Sequence, residues 1–185
     1  MRRFSIRTVP PWIVALGLVS VMALFAPFLV PDAAAPLIQL ENAFLKLGNI
    51  KGKAITQGFQ DQIVFLNMSY QITQQGKWEA GERLSGRVTV FGDVKIVKEM
   101  DNASPLLALA CATKEQFPRA DISLVSGRDV YLLVTLEGVI VSSVSIDYQN
   151  GTPRPIEVIT LNYQKATWQW GTAKAGYDLR QNVKM

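Results

Sequence analysis

Few residues in this sequence could carry covalent or acid–base chemistry. The 185-residue chain has no histidine and one cysteine, Cys111. Without imidazole, neither a Ser-His-Asp nor a Cys-His arrangement can be assembled. One thiol and no imidazole cannot build a zinc site of the usual kind, and a lone cysteine closes no intrachain disulfide. Carboxylates, lysine, tyrosine and an oxygen-ligated metal survive in principle. The nearest approach to a carboxylate cluster is Asp93, Glu99 and Asp101. Their spacing fits no metal-binding loop, so they read as a solvated edge. Cys111 lies among Leu and Ala and reads as a small core hydrophobe. Lys114 alone is weak support for a reactive thiolate. Gly-rich phosphate loops are missing. No catalytic residue, cofactor or metal is expected, and the chain does not read as an enzyme.

The aromatic residues suggest contact instead. Trp168 and Trp170 share a strand face and read as core or as an interface belt. Trp78 lies in a polar stretch, Gln74 to Ser85, that reads as a long loop or hairpin tip. A large aromatic there either meets another chain or docks on its own domain.

The elements that must position these residues are mostly strands. Apolar residues make up 49% of the chain and charged residues 18%, so a packed core can form. From Phe44 onward, short runs of Val, Ile, Tyr and Thr alternate with Gly, Asn and Pro, the texture of an all-β sandwich or barrel. Gln62 to Thr73 alternates but slips in phase between Phe65 and Met68. Gly86 to Lys98 alternates well. Tyr131 to Ile146 is a long strand or bent pair with Gly138 at a bend. Glu157 to Trp170 needs a bulge near Gln164-Lys165 to keep its phase. One short helix is expected at about 105–114. Ser104 is its expected cap, Pro105 its first residue, and Leu106, Leu109, Ala110 and Thr113 one shared face. Lys95, Lys98, Glu137 and Lys165 are expected on polar faces.

The first 35 residues differ. Arg2, Arg3 and Arg7 precede an uncharged run from Trp12 to Val30 that contains Leu16, Leu24 and Phe28. As a helix it would reach roughly 28 Å, close to a bilayer core. Three readings stay open: a secretory signal peptide cut near Ala33-Ala34-Ala35, an uncleaved inner-membrane anchor, or a buried core helix. Initiation at Met22 would leave about nine apolar residues, too few to span. Residues 36–43 read as a linker and 44–185 as the folded domain. The net charge of +4 divides between the two parts. Three arginines oppose one aspartate before residue 36, and the rest carries 16 Lys/Arg against 14 Asp/Glu. A domain this near neutrality has no electrostatic reason to bind nucleic acid.

Several segments, in order, resemble one family. Phe44-Leu45-Lys46-Leu47-Gly48-Asn49-Ile50-Lys51-Gly52 is similar to the opening strand and turn of the haemolysin-coregulated protein (Hcp) family, the tube proteins of type VI secretion. The resemblance continues at Ser69-Tyr70 and at Met100-Asp101-Asn102-Ala103-Ser104-Pro105-Leu106 with Ala110-Cys111-Ala112. It returns at Val139-Ile140-Val141-Ser142-Ser143-Val144-Ser145, at Leu161-Asn162-Tyr163 with Trp168, and at Ala175-Gly176-Tyr177-Asp178-Leu179-Arg180-Gln181-Asn182.

The resemblance implies a two-sheet β-barrel with one helix at its side. It implies a structural role: homohexameric rings that stack into a tube, capped by a spike protein, driven by a contractile sheath and carrying secreted effector proteins. It also implies release through that apparatus. The segment 74–85 corresponds to the family's ring-to-ring contact, so Trp78, Glu79 and Glu82 become interface candidates, with Tyr177, Asp178 and Arg180 in the C-terminal segment. Two departures stand out. The 74–85 stretch has Trp78 and only two glycines where the family is Gly-rich, and the family's tube subunits have no leader like 12–30. A membrane-tethered or periplasmic ring that binds a partner without being propelled is the alternative.

Overall fold

The computed structural model describes residues 42–78, 84–151 and 153–185. The leader 1–35, with Trp12, Leu16, Leu24 and Phe28, lies outside them, as do Glu79 and Glu82. Among the described residues no helix is long and apolar enough to cross a membrane.

Among the described residues, twelve strands and one helix follow in order: β1 (Ala43–Leu47), β2 (Ile63–Val64), β3 (Asn67–Ser69), β4 (Ile72–Trp78), β5 (Leu84–Phe91), β6 (Val94–Glu99), α1 (Ser104–Thr113), β7 (Gln116–Ser126), β8 (Asp129–Asp147), β9 (Ile156–Asn162), β10 (Lys165–Trp170), β11 (Ala173–Asp178) and β12 (Val183–Lys184). Every pairing is antiparallel.

The 19-residue β8 organises the whole. Its first half lies between β7 and β10, from Asp129↔Ser126 to Glu137↔Lys165. Its second half pairs with β9 from Ile140↔Asn162 onward. The change falls at Gly138, where φ is +61°. The positive φ is the main demand for glycine; a Cβ there would also meet the end of the flexible Gln164 side chain at 2.7 Å, which would have to turn aside. The bulge expected near Gln164-Lys165 is a full break: Tyr163-Gln164 separates β9 from β10 opposite the bend in β8.

Among the described residues the strand ladder does not close into the expected barrel. The strands make one branched ten-stranded sheet, β12-β11-β10-β8-β7-β1-β2, with β9, β6 and β3 branching from β8. The ladder stops where the sequence loses phase, at Phe65-Leu66. There the Phe65 N–H donates to Ala43 and the Leu66 N–H to Val97, on opposite flanks. The chain spans this gap without a ladder across it.

Inward residues of both branches form the main core, including Leu45, Leu47, Ile96, Ile122, Leu136, Ile159 and Leu161. The outer face of β1 is covered too. Phe44 stacks on Phe59 at 4.4 Å and packs with Ala54 and Val125.

Helix α1 begins as predicted near Pro105 but is capped differently. Its N-cap is Ala103, in helical conformation, with no side-chain cap bond. Asp101 Oδ1 accepts the Ala103 N–H instead. Ser104 is the first residue inside the helix, and its Oγ is engaged in a buried ionic cluster. Lys114 ends the helix in the left-handed region and returns its N–H toward Ala110 and Cys111. The shared face of Leu106, Leu109, Ala110 and Thr113 is not the buried one as a whole. Leu107 and Ala110 turn inward, while Leu106 and Leu109 are exposed. In a helix apolar all round, periodicity selects no face.

Candidate assembly interface

Strands β4 and β5 form a two-stranded sheet of their own, paired from Ile72↔Phe91 to Trp78↔Leu84 with a register shift between Gln75 and Lys77. The segment read as a loop or tip is therefore a hairpin. Trp78 stands at its far end opposite Leu84. Ile72 and Val90 near its base are exposed apolar side chains. The base is anchored by the Gly92 N–H donating to Gln71 and by Phe91 stacking on Tyr177 at 5.0 Å.

That stack places the C-terminal candidates beside the hairpin. Tyr177 donates its hydroxyl to Asn182 at 2.6 Å. Asp178 is buried and fully engaged: Oδ1 accepts the N–H groups of Arg180 and Gln181, and Oδ2 lies 3.4 Å from Lys165 Nζ. The Gln181 N–H, with Lys165 and the Arg180 N–H, holds its carboxyl below the usual range against the effect of burial. Asp178 thus shapes the turn into β12, while Arg180 stays exposed with a 3.4 Å contact to Gln164.

The polar sheet face runs across β7, β8, β10 and β11. Lys165 lies between Glu137 at 3.9 Å and Asp178. Arg119 pairs with Asp121, which also accepts from Thr135. Lys95 and Glu137 are exposed, as expected for polar faces.

Lys98 is the correction. Its side chain is fully buried. Nζ donates to Asp101 Oδ1 at 2.8 Å, Glu157 Oε2 at 2.9 Å and Ser104 Oγ at 3.1 Å. Ser104 Oγ donates to Glu157 at 2.7 Å and accepts the Asp101 N–H at 3.0 Å. A buried charge must be matched by partners in this way. The expected carboxylate edge is likewise dispersed. Asp93 binds Ser142 and Asn162, Glu99 binds Lys53 and Arg154, and Asp101 is buried with Lys98. Among the described residues no three metal-ligating side chains converge. Cys111 is a free thiol half-buried against the main core.

The signal for Lys98 was in the sequence. It follows Val94 and Ile96 at steps of two, and Glu157 precedes Ile159 and Leu161 likewise. Both positions belong to inward faces, and the β6–β9 register sets them opposite each other.

The family model described as "Type VI secretion system effector, Hcp" matches residues 44–170. The chain belongs to the Hcp family. Its similarity to Protein hcp1 of Pseudomonas aeruginosa is 30% identity over 156 residues, covering 76% of this chain and 96% of that protein. The crystal structure of Hcp1 from Salmonella typhimurium has a TM-score of 0.68 at 26% identity, covering 78% of this chain and 98% of that one. A structure described as a type six secretion system protein reaches 0.72 at 22% identity, covering 78% and 99%, which is likeness of fold. The Hcp match takes in the hairpin, the buried Lys98 cluster and β10, and it begins one residue into β1.

Proposed function

We propose that this chain is a structural subunit of a type VI secretion tube, assembling into hexameric rings that stack and carry effectors. Family membership supports the system. The hairpin β4–β5 carries the proposal of assembly. A lone two-stranded ribbon is marginal in water, and among the described residues the contacts that anchor this one to the main body lie at its base. A neighbouring subunit would supply the missing face. Trp78, Glu79 and Glu82 then belong to ring-to-ring contact, and Tyr177 and Arg180 lie beside the hairpin base, with Asp178 holding their turn. In this reading the tube meets a spike protein at its tip and a contractile sheath outside. It leaves the cell through the apparatus, and no catalytic step is required.

Size-exclusion chromatography with light scattering on the full-length chain tests this. Hexamers or stacked rings are expected, and a stable monomer would sink the reading. A second reading rests on the uncharged run Trp12–Val30 behind three arginines: a ring tethered to, or exported across, the inner membrane. Fractionation separates the two. A propelled tube subunit enters the medium only when the contractile apparatus is intact, whereas a tethered ring stays with the membrane. Mass spectrometry of the native N-terminus shows whether residues 1–35 are retained.

A further inference from the structure

Two unpartnered apolar features lie at opposite ends of the strands. At one end Trp170 closes β10 and is 62% exposed. Its ring meets Tyr131 of β8 edge to face at 5.1 Å, and the neighbouring Val130 is exposed too. The shallow surface beside this knob is lined by Leu132, Trp168 and Ala173, with Lys174 its one charged member among the described residues. At the other end Leu106 and Leu109 of α1 are 46% and 57% exposed. With Ile50 and Phe117 they line a groove of about 320 Å³, whose one charged member among the described residues is Glu115.

The ladder fixes their separation. Trp170 pairs with Leu132 of β8, and Phe117 pairs with Val139 of the same strand. Seven residues of strand put roughly 23 Å between them. One copy therefore carries a knob at one end and a groove at the other.

Charge decides how two copies could meet. A contact between like ends would set knob on knob, with Lys174 against Lys174, or groove on groove, with Glu115 against Glu115. Like charges oppose both. A contact between unlike ends sets Lys174 beside Glu115 and gives the tryptophan a desolvated pocket, the setting in which such residues dominate binding. We propose that the Trp170 end of one copy seats in the α1 groove of the next copy. This rests on the reading of the chain as an assembling tube subunit and adds a contact separate from the hairpin.

The test is a charge swap in the full-length chain, read by sedimentation velocity over a concentration series. Both positions are exposed, so the fold should hold, and circular dichroism checks it. Lys174→Glu alone and Glu115→Lys alone should each raise the half-assembly concentration by roughly three- to tenfold. The double variant should return to within about twofold of the parent. Trp170→Ala should raise it by about thirtyfold or more. Assembly that ignores both single reversals, or a double variant that merely adds their defects, overturns the contact and leaves the tube reading standing. A parent chain that stays monomeric at every concentration overturns both.

Discussion

Lys98 of β6 and Glu157 of β9 face each other across the sheet, Nζ to Oε2 at 2.9 Å, and both side chains are fully buried. The pair ties the branch β9-β6-β3 to the first turn of α1, because Ser104 and Asp101 share the same ammonium. Its worth lies in what its removal would leave behind.

Lys98→Met strips the counter-charge from two buried carboxylates. Removing one partner of such a pair costs about 3–5 kcal/mol. Lys98→Met with Glu157→Met should regain part of this, since one carboxylate then remains instead of two. Urea denaturation reads both, and a single variant within about 1 kcal/mol of the parent would contradict the account.

Ser104→Ala keeps helix propensity but deletes a hydroxyl with three partners. A loss of about 1–3 kcal/mol is expected. A helix-cap role would give a similar figure. The distinguishing readout is therefore the cycle with Glu157→Gln: coupling between the two positions is expected, and strict additivity would speak for simple capping.

Gly138→Ala should destabilise through both backbone and side chain. The positive φ costs on the order of 1 kcal/mol, and the contact with Gln164 adds to it. Trimming Gln164→Ala in the same chain should remove only the steric part. Thermal unfolding that leaves Gly138→Ala unchanged would show that the bend does not need glycine.

Acid and alkali should act on different groups. The Lys53 hydrogen bond, then Lys53 and Arg154 charge, lowers Glu99 against burial, and Asp178 is lowered chiefly by the Gln181 N–H. Both carboxyls therefore add stability above their ordinary values of 4.5 and 3.8, and that stability is lost as pH falls through their lower folded values. The Tyr163 phenol moves the other way, pushed up to about 12 by burial and then by Tyr70 and Asp93. Its contribution is intact below the ordinary value of 10.0 and is lost as pH rises through about 12. Tyr163→Phe should flatten the alkaline limb of a stability-against-pH curve and leave the acid limb alone.

Trp78→Ala should weaken ring stacking and leave single rings intact. Electron microscopy of assembled material checks this: shorter tubes are expected, and an unchanged length distribution would reject the role.

Strand positions were readable because alternation records burial directly. The phase slip at Phe65–Met68 marked the break between β2 and β3, and Gly138 marked the bend in β8. The break between β9 and β10 appeared as a bulge one residue away. Where one pattern suits two faces, sequence reading fails: α1 is apolar all round, so a face shared by Leu106, Leu109, Ala110 and Thr113 does not say which side is buried. The charge of Lys98 points to solvent, while its phase with Val94 and Ile96 points inward, and the phase prevails. Ser104 was read by its local motif, and only the long-range β6–β9 pairing reveals that its hydroxyl is claimed by Glu157. The interruption of the ladder depends on Phe65 and Leu66 bonding to distant strands on opposite flanks, which no local pattern encodes.

The pairing of β1 with β7 carries a cost in time. Ala43 finds its partner at Leu124, some eighty residues later in the chain. At a synthesis rate of about 5–20 residues per second, β1 waits roughly 4–16 s before that partner exists. Its run Ala-Phe-Leu-Lys-Leu remains an open apolar edge throughout, since its other neighbour, β2, spans two residues. Long-range closure of this kind also slows folding after release. The nascent chain is therefore most vulnerable to mispairing before its largest sheet can close, and Lys46, the one exposed residue of β1, is the only charge within that strand to oppose it.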